Sequence, residues 1–179
     1  LQHYVYDTYN SELLTIMDHK KNFNYKNYDL AINNFNERKK TKKSFKSIFD
    51  PFVNYLSLES LLPGLFFTFS RDKCTEYAKL IRSSLIDHEE RAQIEKIFDL
   101  NVHRLLNKPE EIEQVQLIKS LLMKGVCVHH SGLIPLLKEI IEEIFCKGLI
   151  KVLFATETFA VGVNMPTRTV VFTGLTKFS

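Results

Sequence analysis

Apolar positions along the chain follow two periods. Short continuous runs occur in "GLFFTF", "GVCVHH", "LIKVLFA" and "TVVFT". Such runs suit strands buried on both faces, as in a parallel sheet. Between them the period lengthens to that of a helix. "RDKCTEYAKLIRSSL" places Tyr77, Leu80, Ile81 and Leu85 on one face. "LIPLLKEIIEEIFCKG" gathers Leu133, Leu137, Ile140, Ile141 and Ile144 on an apolar face and Lys138, Glu139, Glu142 and Glu143 on a wet one. Gly148 stands where a C-terminal cap is expected. Residues 87–124 read as charged helices interrupted at "NKPEE", an all-helical insertion. "DPFVNYLSLESLL" predicts another helix, with Pro51 in its first turn. Upstream, "HYVYD" and "LLTIMD" read as two short strands, and Tyr28, Ala31, Ile32 and Phe35 take the spacing of a helix face.

Strands that alternate with helices predict an α/β fold with a mostly parallel sheet flanked by helices. In such sheets the loops after the strands share one edge, and ligands bind there. Three loops would converge: "SRDK", "HHSGL" and "TETFAVGVNMP". Ser70 and Arg71 stand at a strand-to-helix junction, where helix amides attract anions. Thr156 ends an apolar run, so its hydroxyl and amide would face the crevice. Gly162 would let the backbone approach a ligand, and Asn164 can donate to and accept from a ribose hydroxyl. Each residue also has a plain structural reading. Ser70 can be a helix cap, Thr156 and Thr158 can close turns, Gly132 and Gly162 can be conformational punctuation, and Asn164 can belong to a turn. Three such loops on one edge favour a ligand.

Composition narrows the class. The 179 residues are 45% hydrophobic and 25% charged, the mix of a globular core. No apolar run reaches the ~20 residues that span a bilayer. Three widely spaced cysteines argue against a disulfide framework and for a reducing compartment. The net charge of +3 is mild, but "ERKKTKKSFK" packs six basic residues against one acid. That run reads as a solvated connector or as a phosphate-contacting patch. Cys127, His129 and His130 do not make a convincing metal site, because neighbours on a strand point to opposite faces. The chain starts at Leu1 and stops at "TGLTKFS", so it reads as a piece of a longer polypeptide.

At "VHHSGLIPLLKEIIEEIFCKGLIKVLFATETFAVGVNMPTRTVVFT" the pattern becomes specific. It resembles the second RecA-like lobe (the helicase C-terminal lobe of the P-loop NTPase fold) of the superkiller and exosome-cofactor branch of DExH-box RNA helicases, in helicase superfamily two. "LFFTFSRDKCTEYA" is similar to that family's motif IV and "FATETFAVGVNMP" to its motif V. "LQHYVYD" resembles the lead-in to the lobe. The resemblance divides the chain into lead-in strands, helices and a basic connector over 1–62 and the RecA-like domain over 63–179.

The resemblance implies roles. Ser70, Arg71, His130, Ser131, Gly132 and Thr156 would line the RNA side, with Thr156 on phosphate and Glu157 and Thr158 shaping the loop. Gly162 and Asn164 would lie near the nucleotide's ribose. It also implies ATP and Mg2+ in the full-length protein, single-stranded RNA as ligand, and the first RecA-like lobe of the same chain as partner. Subunits of an RNA-exosome or superkiller-type complex are further expected partners. The location would be intracellular, cytoplasmic or nuclear, with no membrane association. The sequence holds no "GxxxxGK[ST]" loop and no DExH carboxylate pair, and the family's arginine-bearing motif VI lies just beyond the equivalent of "TGLTKFS". No catalytic residue is therefore expected in this piece, and alone it should be inactive. Two alternatives stand: a non-catalytic RecA-like scaffold for protein partners, and a lobe of the related DNA-repair helicases, whose loop is typically "HHAGL" where this chain has "HHSGL".

Overall fold

The computed structural model describes residues 1–41, 47–102, 109–156 and 165–174. They form two compact units, Leu1–Ile48 and Phe49–Ser179.

In the first unit, strands β1 (His3–Asp7) and β2 (Glu12–Met17) pair antiparallel, and helix α1 (Tyr25–Thr41) follows. Asn24 caps α1, its side chain accepting from the Asn27 amide at 3.0 Å. The helix face differs from the expected one. Of Tyr28, Ala31, Ile32 and Phe35 only Ala31 is buried, in a small core with Leu14 and Ile16. The reason is polar. Asn27 donates to the Thr15 carbonyl at 2.9 Å and Asn34 to the Asp7 carboxylate at 2.6 Å. Residues 27, 31 and 34 lie on one face, so the two asparagines turn the Ala31 side inward. Residues 42–46 of the basic run lie outside the described residues.

In the second unit, β3 (Gly64–Phe67), β4 (Val126–His129), β5 (Val152–Ala155) and β6 (Thr169–Phe172) form one parallel sheet in the order β4-β5-β3-β6. The register sets Val128, Phe154, Phe66 and Val171 in one row and His129, Ala155, Phe67 and Phe172 in the next. Consecutive rows face opposite sides of the sheet. On one side Phe66 and Phe154 pack at 5.0 Å, joined by Phe49 and Phe52 of helix α2 (Phe49–Leu58) and by Tyr77 of helix α3 (Arg71–Leu80). On the other side helix α6 (Pro135–Cys146) buries Leu137, Ile140, Ile141, Ile144 and Phe145. The apolar face read from sequence is the buried one, extended by Phe145.

Helices α4 (His88–Val102) and α5 (Pro109–Leu122) are the helical insertion. Asp87 and Glu90 cap α4 reciprocally: the Glu90 amide donates to Asp87 at 2.8 Å and the Asp87 amide to Glu90 at 3.2 Å. The insertion buries Ile94, Phe98 and Val102 from α4 and Val115, Ile118, Leu121 and Leu122 from α5.

Two helix ends are informative. Gly148 does terminate α6: its φ is +72°, its amide donates to Phe145, and the Leu149 amide reaches back to Ile144. That is a Schellman ending, which favours glycine at the left-handed position. Helix α3, by contrast, stops at Leu80 and does not reach Leu85. The Arg82 and Ser83 amides donate to the Asp50 carboxylate at 2.8 and 3.3 Å, so they leave the helical ladder. The buried face of α3 is Cys74, Tyr77 and Ala78, followed by Ile81.

Candidate nucleic-acid interface

The carboxyl ends of β3, β4 and β5 lie side by side, and polar residues collect there. Among the described residues five polar or charged side chains are buried: Asp7, Thr68, His129, His130 and Thr156. All but Asp7 stand at these three strand ends. Burying polar groups costs free energy unless they are partnered, so each of these groups calls for a partner. Thr68 donates to the Ser70 carbonyl at 3.0 Å and lies 2.9 Å from the Cys74 thiol, which fixes the turn into α3. Ser70 caps that helix, accepting from the Lys73 amide at 3.4 Å. The plain structural role of Ser70 is thus real, and it sets exposed Arg71 in the first turn.

The turn after β4 meets Arg71. The Leu133 amide donates to the His130 carbonyl at 3.2 Å and the Gly132 amide to His130 Nδ1 at 3.1 Å. Nδ1 therefore accepts, and the neutral ring carries its proton on Nε2. A methyl group added at Gly132 would lie 3.2 Å from His130 Nδ1 and 3.6 Å from Arg71 Cδ. A side chain at Gly132 would thus press on the imidazole, which would have to give by a few tenths of an ångström, while the Arg71 stem would be in ordinary contact. Ser131 is exposed and engages no hydrogen-bond partner among the described residues. Burial holds the His130 pKa below its ordinary 6.5, and the charges of Arg71 and then His129 act the same way, against an opposing pull from Asp72.

His129 points to the other side of the sheet. Its Nε2 lies 2.7 Å from Glu142 on α6. Burial lowers its pKa although Glu142 favours the charged form. The two histidines thus have different neighbours, as their alternation on the strand requires. Cys127 is a core residue whose thiol burial pushes up to about 12.

Thr156 is buried, and one expectation for it is corrected. Its amide does not face a crevice but donates to the His129 carbonyl at 3.2 Å, extending the β4–β5 ladder by one residue. Ser70, Arg71, His130, Ser131, Gly132 and Thr156 are thereby placed on one sheet edge. Glu157, Thr158, Gly162 and Asn164 lie outside the described residues.

Two residues of this edge escaped the sequence reading. Gln114 of α5 donates from Nε2 to the Gly132 carbonyl at 3.2 Å and accepts the Ile134 amide at 3.1 Å. Glu142, assigned to the wet face of α6, instead pairs with His129. Both act on residues at least 13 positions away in sequence, and no local periodicity reports such contacts.

No family model matches the chain. Among curated proteins it is 35% identical over 190 residues to the exosome RNA helicase MTR4 of Homo sapiens, covering 99% of this chain and 18% of that protein. It is 44% identical over 138 residues to the antiviral helicase SKI2 of Saccharomyces cerevisiae, covering 76% of this chain and 10% of that one. With the superkiller complex protein 2 of Homo sapiens it shares 36% over 197 residues, 99% of this chain and 16% of the relative. The chain belongs to the DExH-box RNA helicases of the SKI2 and MTR4 type. It spans 10% to 18% of the length of these three relatives. The four-stranded parallel sheet with helices on both faces is consistent with the RecA-like fold of this helicase family. No described helix is long and apolar enough to cross a membrane.

Proposed function

We propose that this chain is the second RecA-like lobe of an ATP-dependent RNA helicase acting in RNA processing or decay. In this reading the carboxyl edge of the sheet holds the backbone of single-stranded RNA. The observation that carries it is the convergence of three strand ends on one edge, with Arg71 packed against the Gly132 turn and Thr156 locked beside His129. Arg71 supplies a fixed positive charge for phosphate. The neutral His130 ring carries an Nε2 proton, and the exposed Ser131 supplies a backbone amide and a hydroxyl. Contacts of this kind position a strand without reading its bases.

ATP and Mg2+ would be held largely by the rest of the full-length protein, with the first lobe facing this one. This chain has neither a phosphate loop nor a DExH pair. Among the described residues no group of three His, Cys, Asp or Glu could hold a metal. Gly162 and Asn164, proposed for the ribose side, lie outside the described residues, so no chemical step is assigned here. Subunits of exosome- or superkiller-type complexes are the proposed partners, and the proposed location is intracellular.

The test is RNA-stimulated ATP hydrolysis and strand unwinding by the full-length protein and its Arg71→Ala variant. The expected result is stimulation by single-stranded RNA and a rise of roughly 10- to 150-fold in the half-saturating RNA concentration for the variant, since a hydrogen bond to a charged group is worth about 1.5–3 kcal/mol. A protein without RNA-stimulated turnover, or a variant with unaltered RNA dependence, would remove the reading.

A further inference from the structure

We infer that Gln114, carried by the helical insertion, is a positioning residue for RNA binding. It acts by fixing the turn 130–134, and the inference rests on the RNA-edge reading above. Its carboxamide bridges that turn, donating to Gly132 and accepting from Ile134. With the two internal bonds of the turn, His130 and Gly132 have their backbone and ring acceptors committed. Ser131 then stands exposed at the apex, held from both sides.

Three features make the bridge more than an incidental contact. First, α6 begins at Ile134 with no side-chain cap of its own, and Pro135 follows at its first position. The Gln114 oxygen accepts the amide of the cap residue itself, one of the donors at a helix N-terminus that have no partner inside the helix. Second, Gly132 bears no side chain, so only its backbone can anchor the turn: its amide is held by His130 Nδ1 and its carbonyl by Gln114. Third, Gln114 lies beside Val115 and Ile118, which are buried. The packed face of α5 therefore fixes the height at which the carboxamide meets the turn. A backbone amide binds phosphate well only when its direction is set beforehand, because ordering it on binding costs affinity.

The test uses the full-length helicase with Gln114→Leu, which keeps most of the side-chain volume and removes both bonds. Gln116→Leu, an exposed neighbour on the same helix, is the control. The readouts are the half-saturating concentration of a single-stranded RNA in the ATPase assay, turnover at saturating RNA, and melting temperature. For Gln114→Leu the half-saturating RNA should rise ~3- to 10-fold, the loss expected when one or two neutral hydrogen bonds no longer orient a contact. Turnover at saturating RNA should stay within about twofold, and the melting temperature within about 3 °C. Gln116→Leu should match wild type. A Gln114→Leu enzyme with unaltered RNA half-saturation overturns the inference if Arg71→Ala still weakens RNA. A lower melting temperature with normal RNA half-saturation also overturns it, because Gln114 is then only a helix cap. If neither Arg71→Ala nor Gln114→Leu alters RNA dependence, the RNA-edge reading falls and the inference with it.

Discussion

Thr156 offers the sharpest test of the interface, and the structure dictates the substitution. The residue is 8% exposed, so alanine would remove packing together with the hydroxyl. Valine keeps the branched shape and removes only the polar atom. The backbone is held independently, since the Thr156 amide donates to His129 at 3.2 Å whatever the side chain. Any effect of Thr156→Val then belongs to the hydroxyl. If the hydroxyl contacts RNA phosphate, the lost bond is worth about 1.5–3 kcal/mol, or roughly 10- to 150-fold in the RNA dissociation constant. The loss should be alike for strands of different base composition, because phosphate carries no sequence. If the hydroxyl serves only the fold, its loss costs about 0.5–1.5 kcal/mol of stability and leaves RNA affinity alone. Fluorescence anisotropy with two labelled single strands, and melting curves on the same preparations, separate these outcomes. An RNA dissociation constant within twofold of wild type would refute the phosphate contact.

Ile141 is fully buried on the sheet-facing side of α6. Ile141→Asp should abolish cooperative melting, because a buried unpaired carboxylate costs a large part of the ~5–15 kcal/mol that holds a domain folded; an unchanged melting temperature would show that α6 does not bury this face. Acid should destabilise the fold through His129 and His130. Both folded pKa values lie below 6.5, so the stability contribution is fully present above that pH and is lost as pH falls through it. His130→Asn retains a side-chain acceptor for the Gly132 amide and does not titrate. Melting temperature measured between pH 7.5 and 5 should fall less steeply for it than for wild type, and equal slopes would exclude His130 as a source.

What could be read from the residues alone follows from the range of each interaction. β3, β4, β5 and α6 were legible because burial on both sides of a sheet, or on one side of a helix, imprints a local period; β6 has the apolar run without the burial, since it is an edge strand with Val170 and Phe172 exposed. Gly148 was legible because a left-handed helix ending demands glycine within a few residues. The end of α3 was not, because the Asp50 carboxylate that captures its last amides lies 32 residues upstream. The inward face of α1 was misread for a related reason. Tyr28, Ile32 and Phe35 have the right spacing and the larger apolar area, yet Asn27 and Asn34 select the other side through hydrogen bonds to Thr15 and Asp7.

The interface divides along the same line. Candidates on the strand ends could be named because a polar group that terminates a buried apolar run is conspicuous. Ser70, Arg71 and Thr156 announce themselves in this way, whereas the roles expected of His130, Ser131 and Gly132 came from the family resemblance. The groups that orient them do not. Gln114 and Glu142 sit on helices whose exposed positions carry many interchangeable polar side chains, and nothing local distinguishes the one that reaches across. Glu142 ties β4 to α6 through His129, and Gln114 ties α5 to the turn between β4 and α6. The edge of the sheet is thus held at His129 on one side and at Gly132 on the other, with His130 and Ser131 suspended between. In the proposed reading, a turn clamped in this way presents the Ser131 amide and hydroxyl in one direction, as a ligand gripped by its repeating backbone would require.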